Sequence, residues 1–281
     1  MDIISGEKLQ EIAEVTIASK KKIKFNKNFN KFVKNYIIIN DIYDIKDNIE
    51  NIKKFKIIFI YGDEIEFFFQ NILSYLDRIV LITHNGDNGI NESYLDYAKN
   101  PKIIKWFGVN NELISDKVIS LPIGIANSMW KHGNLELLEK VINKNNIKDK
   151  LLFFNFSLST NPNKRSKIKN LLEKRFTFLK KVSQEEYLDT LSKHKFCISP
   201  PGNGIDCHRT WECLYLGVIP IVESHTHNLY FQDLPILIIN DWNIVNDDYL
   251  NKKYNEFRMK KFNLDKLDLK YWKKIIQNNL Y

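Results

Sequence analysis

Short apolar runs punctuate this chain at 36–39, 57–60, 78–83, 103–107, 118–121, 151–156, 196–199, 219–222 and 235–239, the first two rich in β-branched residues. Runs of this kind, with little alternation of polar positions, are the pattern of strands buried on both faces of a sheet. A further strand is expected at 177–180. Between the runs, apolar positions return at helical spacing, which predicts helices over 63–75, from about 92, over 135–147, 183–192, 208–216, 249–259 and 267–280. Ser5 is placed to cap a first helix reaching to about residue 20, with Leu9, Ile12, Val15 and Ile17 as its apolar positions. Strands alternating with helices imply an α/β fold with parallel sheets and helices on their faces. The Asn- and Lys-rich stretch 143–150 is the natural linker between two lobes, and the helix over 135–147 closes the first of them.

The densest chemistry lies between Phe196 and Glu223, FCISPPGNGIDCHRTWECLYLGVIPIVE. The strand at 196–199 breaks into Pro200, Pro201, Gly202, Asn203 and Gly204, where glycines admit backbone conformations closed to other residues. Trp211, Leu214 and Tyr215 then recur at helical spacing, Gly217 is placed to stop the helix, and Ile219 opens the next strand. A helix N-terminus offers free N–H groups and a positive dipole end, so the loop before it suits a phosphate. Arg209, in the first turn, can add a bidentate contact to a diphosphate. Glu212 lies three residues on along the same face, where a carboxylate can accept from both ribose hydroxyls. Together these describe a nucleotide held at strand ends. Asp206 and His208 can contact sugar or phosphate, or merely cap the helix; Trp211 falls on the apolar stripe and reads as core.

Two other loops carry candidate residues. After the strand at 151–156, the polar loop 157–163 leads into Lys164 and Arg165 at a helix start, the same arrangement for a phosphate. Spacing alone leaves Arg165 open between a second diphosphate clamp and a solvated surface arginine. His84-Asn85-Gly86-Asp87-Asn88-Gly89 leaves the strand at 78–83 where α/β sheets place their sites, although Asn, Asp and Gly also make turns for their own sake. In the irregular segment 122–134, Trp130 can stack on a sugar face and His132 can touch phosphate or acceptor; Trp130 as a core plug is the alternative.

Composition sets bounds on this picture. With 281 residues, 44% hydrophobic and 13% aromatic, the chain has room for two ordinary lobes with a sizeable core. Its net charge of +8 comes with abundant Ile, Lys and Asn, so it reads first as codon bias and a solvated surface. Attraction for nucleotide diphosphates or nucleic acid is the functional alternative. No nucleic-acid motif accompanies it. Cys197, Cys207 and Cys213 form no CxxC pair, which fits a reducing compartment. No apolar run approaches a membrane span and the opening residues are not a secretory signal, so a cytoplasmic enzyme without stable membrane insertion is expected. His225 and His227, with Cys207, His208 and Cys213, match no metal motif, and Asp247-Asp248 reads as a helix start; no metal and no cofactor are expected.

The segment SPPGNGIDCHRTWE followed by LYLGVIPIV resembles the C-terminal signature of exostosin-like glycosyltransferases, particularly the short forms of large DNA viruses and microbes. HNGDNG at 84–89, LPIGIANSMWKHGN at 121–134 and NFSLSTNPNKR at 155–165 share in the resemblance, which covers roughly residues 80–223. It implies a GT-B-type fold: two Rossmann-like lobes with a cleft between them and a C-terminal helix crossing back to the first. The lobes are then 1–147 and 148–245, with closing helices over 246–281. It further implies sugar transfer from a nucleotide diphosphate, by analogy UDP, to a glycan hydroxyl, with inversion. On that reading Asp87 is the base, with His84 the alternative, since inversion needs a group to take the acceptor proton. Asn155, Ser157, Arg165, Ser199, Gly202, Asn203, Gly204, Asp206, His208, Arg209 and Glu212 bind the donor, and Trp130 and His132 the acceptor.

Overall fold

The computed structural model describes residues 1–280, and the chain divides into two compact units. The first comprises Met1–Gly133 together with the chain from Asp268 onward; the second comprises Asn134–Leu267.

In the first unit, strands β1 (Val15–Ala18), β2 (Tyr36–Ile38), β3 (Ile57–Tyr61), β4 (Ile79–His84), β5 (Ile103–Gly108) and β6 (Val118–Ser120) form one sheet in the order β2-β1-β3-β4-β5-β6. Every neighbouring pair is parallel. Each residue of β3 and β4 is buried, which is why these strands read as unbroken apolar runs. The chain runs outward from β1 to β2 and returns to β3 on the other side of β1, so the order reverses between β1 and β3, where open α/β sheets bind ligands at the strand carboxyl ends.

In the second unit, β7 (Lys150–Phe153), β8 (His194–Ile198), β9 (Ile219–Glu223) and β10 (Leu237–Ile239) form a parallel sheet in simple chain order. Phe154, Phe196, Ile221, Leu172 and Leu250 anchor its core. Two parallel sheets with helical crossovers are the two Rossmann-like α/β lobes expected. No helix of the described residues is long and apolar enough to cross a membrane.

Four expectations are corrected. The first helix is only Gly6–Gln10, capped by Ser5, and Val15–Ala18 is a strand inside the sheet. Leu9, Ile12 and Val15 keep helical spacing, but Val15 and Ile17 sit two apart, the period of a strand, and pair with β2 and β3. Residues 177–180 are irregular, attached to the sheet by the Leu179 amide donating to Phe154 O at 2.8 Å. The unit boundary falls between Gly133 and Asn134, so the helix Leu135–Asn143 opens the second unit instead of closing the first. Its Lys140 and Lys144 pair with Glu185 and Asp189 on the helix Gln184–Leu191. The helix Asp247–Met259 also belongs to the second unit, through buried Leu250. Only Leu269–Asn278 returns to the first, burying Trp272 and Ile276, with the Leu269 amide on Asp2 O. The longest unforeseen helix is Ile42–Ile52, whose cap Asp41 accepts from the Tyr43 and Asp44 amides; the short helices Lys20–Phe25, Phe29–Phe32 and Thr226–Tyr230 were not foreseen either.

Candidate functional site

The second unit builds its candidate site where β8 ends. Ser199 is buried and its hydroxyl lies 2.9 Å from that of Thr210 on the helix His208–Tyr215, tying the strand end to the helix. The loop between them is narrow. A Cβ on Gly202 would stand 3.0 Å from an Arg165 nitrogen and 3.5 Å from Thr160 Oγ1, so only a glycine fits without displacement. Asn161 donates to Gly202 O at 3.1 Å and the Gly202 amide to Gly204 O at 3.0 Å. Cys207, the N-cap, gives the helix no side-chain capping bond, and the Thr210 amide turns back to Cys207 O at 2.9 Å. Asn203 is exposed, and His208 is half-buried beside it in the same loop-to-helix junction.

Arg165 departs from its expected role. It is buried, and its guanidinium donates to Pro201 O at 2.9 Å, Ser157 O at 2.7 Å and Pro200 O at 3.1 Å. Three of its five N–H groups are therefore spent on backbone carbonyls of two loops. It is a brace that shapes the Pro200–Gly202 turn, and a free diphosphate clamp is not what this geometry offers. Asp206 is likewise a pin. Its two oxygens accept from the Cys207 amide and from Trp211 Nε1, both at 2.8 Å, and His227 Nε2 stands 3.1 Å away. Neither role was legible from spacing, because each depends on a side chain folding back onto its own loop or onto a later helix.

Arg209 and Glu212 do share one region. Glu212 is buried, and Oε2 accepts from the Tyr187 hydroxyl at 2.8 Å. Burial raises the Glu212 carboxyl, opposed by the Tyr187 hydrogen bond and the Arg209 charge. Burial beside Glu212 pushes the Tyr187 phenol well up. For Arg209, burial works against the charge, but the anionic forms of Tyr187, Cys197, Cys207 and Glu212 outweigh it and its pKa goes up. Tyr187 was missed in the sequence; its only signal was a place one turn into the capped helix at 183–192. Arg209 Nε is shielded from solvent and has no hydrogen-bond partner, and Thr160 Oγ1 at the same loop is also unpaired. Burial, with a contribution from the Arg209 charge, lowers the Arg165 guanidinium's pKa against the pull of Cys207. Two guanidinium charges that influence each other and two buried polar atoms without a partner among the described residues, Arg209 Nε and Thr160 Oγ1, are features that an anion could satisfy.

The remaining second-unit candidates lie on the loop after β7. The Asn155 side chain donates to Leu179 O at 2.5 Å, and the Ser157 hydroxyl is 2.8 Å from that of Ser159. Glu223, at the end of β9, was not singled out beforehand. It pairs with Lys164 and accepts from Trp242 Nε1 at 2.7 Å.

No family model matches this chain, and no curated protein matches it. Among solved structures it is similar to a glycosyltransferase from Rickettsia africae ESF-5, at 14% identity, covering 98% of this chain and 94% of that one, with a TM-score of 0.49. It is also similar to a UDP-GlcNAc 2-epimerase from Neisseria meningitidis bound to UDP-GlcNAc, at 13% identity, 98% and 96% coverage and a TM-score of 0.46. A third is the UDP-GlcNAc 2-epimerase from Methanocaldococcus jannaschii, at 11% identity, 95% and 99% coverage and a TM-score of 0.43. Likenesses this distant assign no activity.

In the first unit, the loop after β4 carries Asp87 and His84, and they part company. Asp87 is exposed, and its carbonyl accepts from Asn110 at 3.2 Å. His84 is buried. Its Nε2 lies 3.1 Å from Pro122 O, and its Nδ1 accepts from the Asn85 amide at 2.7 Å. Nδ1 also lies 3.1 Å from Asn85 Oδ1, so both ring nitrogens are engaged by neighbouring loop groups. His84 is thereby a strut between two loops and not an available base. Trp130 is 44% exposed and is no core plug. Its ring meets Phe25 edge-on at 5.7 Å and lies nearly parallel to His132 at 6.3 Å. Partial burial lowers the His132 pKa. Among the described residues, no three His, Cys, Asp or Glu side chains gather into a metal-binding group.

Proposed function

We propose that this chain is a glycosyltransferase that moves a sugar from a nucleoside diphosphate, UDP by preference, to a hydroxyl of a glycan, with inversion. The observation that carries the reading is the anion cradle after β8: a glycine loop shaped by Arg165, the uncapped start of the helix His208–Tyr215, and unpaired Arg209 Nε and Thr160 Oγ1. In the reaction, the acceptor hydroxyl gives its proton to Asp87 while its oxygen attacks the anomeric carbon. The bond from that carbon to the diphosphate breaks, and the electron pair leaves with the diphosphate. Charge grows on the leaving group in the transition state, so donors already aimed at it lower the barrier directly. Arg209, whose Nε has no partner among the described residues, is assigned that role. Glu212, held by Tyr187, is assigned to the ribose, and the exposed Trp130–His132 pair to the acceptor sugar.

The test is nucleotide release from a panel of UDP- and GDP-sugars, with EDTA controls and an Asp87→Asn variant. Release from one donor that survives EDTA and is lost in the variant supports a metal-independent transferase with Asp87 as base. Release that persists in Asp87→Asn removes Asp87 from the mechanism. Absence of release and of any thermal shift with UDP or GDP would turn the reading toward a non-catalytic binding protein, and steeply salt-dependent binding of DNA or RNA would identify its ligand.

A further inference from the structure

The residues from 20 to 36, KKKIKFNKNFNKFVKNY, include seven lysines and neither an acidic residue nor an arginine. This segment carries the chain from the carboxyl end of β1 to the edge strand β2. It is held down by Asn26, Phe29 and Val33, all buried, and by an edge-on contact of the Phe29 and Tyr36 rings at 5.2 Å. In the helix Lys20–Phe25, Lys22 and Ile23 are half-buried; Lys22 pairs with Asp63 and lies 5.4 Å above the Tyr61 ring. Lys20, Lys21, Lys24 and Phe25 are exposed and, at about 100° per residue, occupy one arc of about 140°. Lys27, Lys31 and Lys34 continue the exposed charge. Among the described residues none of these six lysines forms an ion pair with a carboxylate. Apolar side chains stand among them: Phe25 is 59% exposed, Tyr36 44% and Ile38 37%.

We propose that this face docks peripherally on an anionic membrane surface. Clustered lysines are drawn to the negative potential of acidic lipids, each contributing on the order of a fivefold gain in affinity. Exposed aromatic and aliphatic side chains between them can enter the headgroup region, where amphipathic surfaces gain from burying apolar area. The choice of lipid over nucleic acid rests on the residue types. Every cation here is a lysine, which binds as a point charge, and no arginine fork is present for phosphate or base recognition. An exposed Ile38 has nothing to gain against a phosphate backbone but does against acyl chains. Phe25 also touches Trp130, so docking would bring the aromatic pair assigned to the acceptor up to the lipid surface. That consequence rests on the proposed function; the docking does not.

The experiment is co-sedimentation of the full chain with phosphatidylcholine vesicles, with and without phosphatidylserine. Binding is expected only to the anionic vesicles, falling as salt rises. Neutralising Lys20→Gln, Lys21→Gln and Lys24→Gln together should weaken it about a hundredfold, with an unchanged melting temperature because all three are exposed. Phe25→Ser alone should weaken it several-fold. Equal binding to neutral vesicles, no binding to either, or an unaltered triple variant would overturn the proposal. So would a single-stranded oligonucleotide bound by the wild type and lost in the triple variant while vesicles bind nothing, which would give the surface to nucleic acid.

Discussion

Replacing Arg165 by methionine separates the brace from the clamp. Methionine keeps most of the aliphatic bulk against the buried surroundings but removes every donor. The carbonyls of Ser157, Pro200 and Pro201 then lose the partner that Arg165, itself only 5% exposed, supplies; Pro200 O keeps only the weak Cys207 thiol donor at 3.3 Å. Each unsatisfied buried acceptor costs roughly 1–3 kcal/mol. Water reaching the exposed Ser157 and the thiol left on Pro200 O would recover part of this, which leaves about 2–4 kcal/mol for the three together. For a unit of this size that is a fall in its melting transition of roughly 6–15 °C. The assay is calorimetry of the full chain without ligand, beside Lys167→Met, an exposed change on the same helix that should stay within about 0.5 kcal/mol. A free clamp would give the opposite signature: unchanged stability without nucleotide and weaker nucleotide binding. An Arg165→Met protein that melts with the wild type would therefore refute the brace.

Arg209→Met should weaken UDP binding by about ten- to a hundredfold in titration calorimetry, the worth of one charge-assisted contact; an unchanged affinity would take Arg209 out of the site. Gly6→Ala should destabilise the first unit by more than about 2 kcal/mol, because the new Cβ would stand 1.9 Å from Asn85 Oδ1 and 2.7 Å from His84 Nδ1. A normal melt would mean that these loops yield easily. Asp189 is held down to about 2 by hydrogen bonds from Lys144 and Lys193. Its folded value lies below its unfolded one, so its stabilisation is present above about pH 4 and lost as the pH falls toward 2. Melting curves across that window should show the wild type losing more than Asp189→Asn, with the difference shrinking in high salt.

How far this protein can be read without its structure depends on how local each cause is. The strands β3 and β4 were legible because burial on both faces leaves unbroken apolar runs, as in Ile57–Tyr61. So was the start of the helix His208–Tyr215, because prolines and glycines break the preceding strand in sequence. The helix stop held at Gly217, whose φ of +66° is open to glycine at little cost. Val15–Ala18 was misread because Leu9, Ile12 and Val15 keep helical spacing, and only pairing with β2 and β3 settles it. Side-chain assignments are a different matter. Arg165 meets carbonyls 35 and 36 residues away, and Tyr187 meets Glu212 across 25. Sequence alone determined that a strand end, a glycine loop, a helix start and basic residues follow one another here. Tertiary structure decided which of those charges are spent on bracing loops and which remain for a ligand, because that depends on partners brought close only when the sheet forms.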